Sequence, residues 1–137
     1  MIESSIVTYK DYIIDYSRGS TASVEFNFER IWAYKKSLED SFQPYLLNFY
    51  HVHPEGINNY SELDKNCMAG LFIAFGFPIY FAILTFSNTD LFDISPRYSA
   101  FEYVKKDIIN PVDVEYLTRD QLLFLKFLSY GGVEALQ

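Results

Sequence analysis

The sequence predicts an α/β fold of the α+β kind, one domain in which β-strands pack against helices. Three observations carry this. Runs of β-branched and aromatic residues recur between turn signals, as in Ile79-Tyr80-Phe81-Ala82-Ile83-Leu84-Thr85-Phe86. Two capping boxes, Ser61-x-x-Asp64 and Thr118-x-x-Gln121, each open an apolar stretch of helical length. Finally, 137 residues, half of them hydrophobic and including 13 Phe and 12 Tyr, suffice for one core without disulfides or a structural metal.

Taken in order, Ser5 to Tyr16 is rich in β-formers and reads as one strand, closed by the turn Arg18-Gly19-Ser20-Thr21. Ser23 to Tyr34 begins by alternating Val24, Phe26 and Phe28 with Glu25, Asn27 and Glu29, and reads as a second strand. From Arg30 to Phe42 the pattern is ambiguous, since Ile31, Tyr34, Leu38 and Phe42 also trace a helical face. The apolar run Tyr45 to Tyr50 predicts a buried strand, ended by Pro54 and Gly56. A buried helix follows from Ser61 to about Phe75, then a buried strand from Pro78 to Phe86. Read unbroken, the apolar stretch Met68 to Phe86 is long enough to span a bilayer. Gly76-Phe77-Pro78 breaks a helix at its middle, so the non-membrane reading is preferred. Ser87 to Asp93 and Ser95-Pro96-Arg97 are polar turns, Tyr98 to Val104 a strand, and Asn110-Pro111 a further turn. The last helix starts at Thr118, is apolar over Leu122 to Leu128, and stops at Gly131-Gly132.

Charge and cysteine use narrow the functional classes. A net charge of −7 and a pI near 4.7 oppose binding to nucleic-acid phosphate, and Lys35-Lys36 and Lys105-Lys106 are too short to form a basic patch. A single cysteine, Cys67, permits no internal disulfide, and the N-terminus lacks the pattern of a secretory signal. A cytoplasmic, reducing setting is expected.

The chemistry concentrates between Phe49 and Asp64. Both histidines of the chain are here, His51 and His53, on one face of the predicted strand by its period of two. Asp64 lies on the first turn of the next helix. Two imidazoles and a carboxylate placed so can converge on one point, the N/N/O ligand set of a catalytic zinc with a fourth position open. Ser61-x-x-Asp64 is equally a capping box, and the two roles are compatible.

His51-x-His53-Pro54, seven further residues, then Ser61-x-x-Asp64 resembles the signature of the JAMM (JAB/MPN+) metalloproteases. Val52 stands where that family commonly has Ser or Thr. The resemblance implies an MPN-like central mixed β-sheet flanked by helices over residues 1–137, with zinc on His51, His53 and Asp64. It also implies that Ser61 stabilises an oxyanion and that an upstream glutamate is the general base. Were the second strand and the histidine strand an antiparallel hairpin turning near Leu38-Glu39, Glu25 would lie opposite His53 and on its face. Glu29 would lie opposite Phe49, too far along, and Asp15 is a weaker substitute. A zinc-dependent peptidase or isopeptidase is therefore expected, acting on protein or peptide substrates such as ubiquitin-like tails. The alternative is a non-catalytic MPN-like scaffold that binds partners.

Overall fold

Alternation of side chains across a single sheet organises this protein, and the computed structural model describes residues 1–19, 26–106, 108–113 and 115–131. The strands are β1 (Ser4–Tyr9), β2 (Tyr12–Arg18), β3 (Leu47–Val52), β4 (Ile79–Phe86), β5 (Pro96–Lys105) and β6 (Ile108–Val112). The helices are α1 (Phe28–Leu38), α2 (Glu62–Phe75) and α3 (Arg119–Lys126), the last continuing as a π-turn over Phe127–Gly131. The strand order is β2-β1-β3-β4-β5-β6. Among the described residues only β3 and β4 run parallel, and α2 is the crossover that a parallel pair requires. Over the described residues the fold is thus mixed α/β, one six-stranded mixed sheet with three helices.

Each face of the sheet has its own core. Val7, Phe49, Phe81 and Ile83 pack with Ile31 of α1 and with Met68, Leu71 and Phe75 of α2. Ile6, Tyr50, Val52, Leu84 and Phe86 pack with Leu122, Leu125 and Leu128 of α3 and its extension. Central β4 is covered on both sides, which is why its sequence is apolar nearly throughout, with Thr85 buried near its end. Each such Leu or Phe contributes about 1.5–3 kcal/mol when removed from water. Among the described residues no helix is long and apolar enough to cross a membrane.

Helix α2 forms as its caps dictate. Ser61 and Asp64 exchange side chain-to-backbone hydrogen bonds at its start, and Gly76 closes it in the left-handed conformation (φ 79°). Helix α3 opens on the matching box of Thr118 and Gln121.

Four expectations are corrected. The strand expected over Ser5 to Tyr16 is a hairpin, turned at Lys10, whose φ of 56° is unusual for a side-chain-bearing residue. The expected strand Ser23 to Tyr34 is helix α1 from Phe28 onward. Asn27 caps it by accepting from the Arg30 amide, and Ile31 lies on its buried face. The hairpin between that segment and the histidine strand therefore does not exist; β3 is flanked by β1 and β4 instead. Asn110-Pro111 is not a turn but part of β6, an edge strand where a missing N–H costs no ladder bond.

The N-terminal segment meets the turn after α3. Ile2 N donates to Ser129 O (3.0 Å), and the Ser4 and Ser129 hydroxyls are hydrogen-bonded. With Ser4 and Ile6 turned toward α3, alternation turns Glu3 and Ser5 to the opposite face. Leu125, fully buried beneath this contact, holds the arrangement. Leu125→Ala should cost about 2–5 kcal/mol in urea unfolding and raise amide exchange at residues 2–4. Unchanged stability would show that α3 does not anchor the N-terminus.

Candidate metal centre

Strand β3 ends by delivering two imidazoles to the α2 face, and the helix that follows brings a carboxylate to meet them. His51 Nδ1 lies 2.9 Å from Asp64 Oδ1, and His53 Nε2 lies 3.0 Å from Asp64 Oδ2. Asp64 Oδ2 also accepts from the Ser61 amide at 2.8 Å, while the Asp64 amide donates to Ser61 Oγ at 3.1 Å. Capping and convergence on the histidines are thus one structure. The strand–turn–helix geometry depends on Gly56, whose φ of 84° suits the third position of the turn closed by Ile57 N and Pro54 O.

A fourth side chain joins them that the sequence reading did not single out. Glu3 Oε1 lies 3.5 Å from His51 Nε2 and 3.8 Å from His53 Nε2. Its position follows from the pairing of β1 with β3. Ser5 stands opposite His51, so the same antiparallel register sets Glu3 opposite His53. In sequence, Glu3-Ser4-Ser5 resembles a polar tail, and only this non-local pairing reveals the glutamate as inward-facing.

All four residues are at most 5 % exposed, so their charges need partners. Burial raises the Glu3 carboxyl above its usual range, partly offset by the charges of the two histidines. Burial opposes ionisation of Asp64 too, but hydrogen bonds from His51, His53 and the Ser61 amide outweigh it and hold that carboxyl well below the carboxylate range. Burial disfavours the charged His53 imidazole; the hydrogen bond and charge of Asp64, aided by Glu3, overcome this and raise its pKa. Two neighbouring carboxyls driven in opposite directions are a common mark of acid–base sites.

The group fits a metal ion. Glu3, His51 and His53 each offer a ligand atom within 4.8 Å of the others. Glu3 Oε2, His51 Nε2 and His53 Nδ1 are buried without a hydrogen-bond partner, a cost that a bound cation or its water would relieve. Tetrahedral zinc with bonds of about 2.0–2.1 Å needs ligand atoms about 3.4 Å apart, near the spacing of Glu3 Oε1 to the two imidazoles.

The other sequence-predicted residues lie as follows. Ser61 is the α2 N-cap, exposed, its hydroxyl accepting from Asp64 N and keeping its own proton to donate. Glu25 lies outside the described residues, and the hairpin that set it opposite His53 is absent. Glu29 is on the first turn of α1. Asp15 is buried on β2 but engaged, accepting from Arg30 Nη1 (3.1 Å) and the Asn27 amide (3.3 Å).

Beyond the ends of the parallel strands β3 and β4 opens a cleft of about 380 Å³, lined by Glu55, Gly56, Asn58, Thr85, Ser87, Ser95 and Arg97. Comparison with protein-family models gives no match to this chain. No curated protein matches it either.

The double duty of Asp64 makes a graded prediction for the metal-free protein. Ser61→Ala should cost about 1 kcal/mol, the loss of a cap. Asp64→Ala should cost about 3–5 kcal/mol, because two buried imidazoles lose their partner as well. Equal costs in thermal unfolding would mean that the Asp64–histidine contacts add nothing to stability.

Proposed function

We propose that this protein is a zinc-dependent peptidase or isopeptidase of the JAMM kind. His51, His53 and Asp64 hold the metal, and Glu3 takes the general-base role for which the sequence pointed to Glu25. The observation that carries the reading is the convergence of both imidazoles on Asp64, with the Glu3 carboxylate 3.5 and 3.8 Å from their Nε2 atoms. Two imidazoles and a carboxylate are a common catalytic zinc set, and a second, unshared carboxylate is what hydrolysis adds.

Zinc, when bound there, supplies a Lewis acid that polarises the scissile carbonyl and makes water acidic enough to react near neutral pH. Glu3 accepts the proton of the attacking water and returns it to the leaving amine. Its elevated pKa suits both halves of that transfer. Ser61, whose hydroxyl proton is not used in capping, donates to the developing oxyanion, a contribution worth about 3 kcal/mol in comparable sites. The substrates are peptides or protein tails, ubiquitin-like tails included, and the single cysteine suits a cytoplasmic setting.

A second assignment of the same residues is favoured by one observation, the near-tetrahedral spacing of Glu3 to the imidazoles. In it Glu3 is the third ligand, and Asp64 orients His51 through Nδ1, as carboxylates beside metal-bound histidines do.

Glu3→Gln separates the two. With Glu3 as base, the variant keeps one zinc per chain while peptide hydrolysis falls by about 10² to 10⁴. With Glu3 as ligand, zinc is lost. The whole reading depends on the His51→Ala/His53→Ala double variant: metal analysis should find no zinc in it, and stoichiometric zinc there would end the proposal.

A further inference from the structure

We propose that the cleft beside the metal centre is a carboxylate-binding subsite, in which Arg97 holds a substrate carboxylate one or two residues from the scissile bond. The substrate side of this proposal rests on the hydrolase reading. The binding site itself is argued from the sheet.

Strand registers place the cleft. On β4 and β5, Thr85 is paired with Arg97, so both side chains lie on one face. Val52 pairs with Leu84 in the parallel ladder, and His53 N donates to Leu84 O at 2.9 Å, so His53 stands beside Thr85. Glu3 stands beside His53 by the β1–β3 register. Glu3, His53, Thr85 and Arg97 therefore form one row across four adjacent strands. At about 4.8 Å per strand, the Arg97 backbone is about 10 Å from that of His53, an interval much of which a side chain of its length can span. The antiparallel register carried one step past Phe86 and Pro96 sets Ser87 against Ser95, a second row of hydroxyls on the same face. The opposite wall is the loop after His53, tied down where Thr85 Oγ1 donates to Asn58 Oδ1 at 3.0 Å. Ends of parallel strands are where open α/β sheets take their ligands.

The lining chooses the ligand. Three other cations of this acidic chain are engaged: Arg30 with Asp15, Arg18 with the Leu128 carbonyl, Lys126 with Asn88 and the Asp93 carbonyl. Arg97 makes no ion pair or hydrogen bond with the described residues and faces the cleft. A guanidinium fork matches a carboxylate or a phosphate, and the Ser87 hydroxyl can complete either, while Thr85 and Ser95 give their protons to Asn58 and Asp93. Glu55 decides between them. Its negative charge in the same lining penalises a doubly charged phosphate more than a singly charged carboxylate. About 380 Å³ is near the lower end of ligand pockets, enough for a residue or two but not for a folded partner.

The test needs neither metal nor turnover. Metal-free protein is titrated by amide NMR with N-acetyl-alanine, its amide N-acetyl-alaninamide, N-acetyl-glutamic α-amide and inorganic phosphate. One of the two carboxylates should shift Thr85, Ser87 and Ser95, and the tighter one tells whether the group is a chain terminus or an acidic side chain. Arg97→Gln should weaken that binding about 10- to 100-fold, and Glu55→Gln should tighten it. Equal binding of N-acetyl-alaninamide, tighter binding of phosphate, or indifference to Arg97→Gln would overturn the proposal. Zinc content is measured separately, so a failed titration leaves the metal reading intact, and a protein without zinc leaves the subsite intact.

Discussion

One carboxylate ties the histidine strand to the helix that follows it. Asp64 accepts from the Ser61 amide, meets His51 through one oxygen and His53 through the other, and lies at most 5 % exposed. It can remain ionised in the interior only because all these donors face it and because it sits in the first turn of α2, where the helix dipole favours negative charge. In return it fixes the rotamers of both imidazoles and the entry angle of the helix. The cleft-side loop and the candidate metal centre inherit their geometry from that clamp.

A second constraint is topological. Because β1 and β4 flank β3, the segment expected as a second strand has no edge of the histidine strand to pair with, and the N-terminus is brought to the site instead. The π-turn after α3 fastens residues 2 and 4 from one side of the sheet, and that leaves Glu3 directed to the other. Residues 3, 51, 53 and 64 are thus united by one antiparallel register and one cap.

What the sequence made legible was local. The capping boxes at Ser61 and Thr118, the break at Gly76-Phe77-Pro78 and the buried strand Ile79 to Phe86 depend on neighbours within a few residues, and they stand as expected. The convergence of His51 and His53 with Asp64 followed from period and spacing for the same reason. Helix α1 was misread because the alternation of Val24 to Glu29 imitates a strand, although Asn27 is the residue that caps the helix. The β1–β2 hairpin was hidden because Lys10 takes a left-handed conformation without the Gly or Asn that signals one. Glu3 was missed because strand pairing is non-local, and no pattern within its own segment marks it as buried.

The central claim is that two imidazoles and a neighbouring carboxylate form a zinc site with a further carboxylate at its edge. A crystal structure of zinc-loaded protein, with anomalous scattering recorded at the zinc edge, tests it most directly. The account predicts one strong peak within about 2.1 Å of a nitrogen of His51, a nitrogen of His53 and an oxygen of Asp64, with the Glu3 carboxylate turned toward the remaining open side. A peak elsewhere in the molecule, or none between these residues, would contradict it.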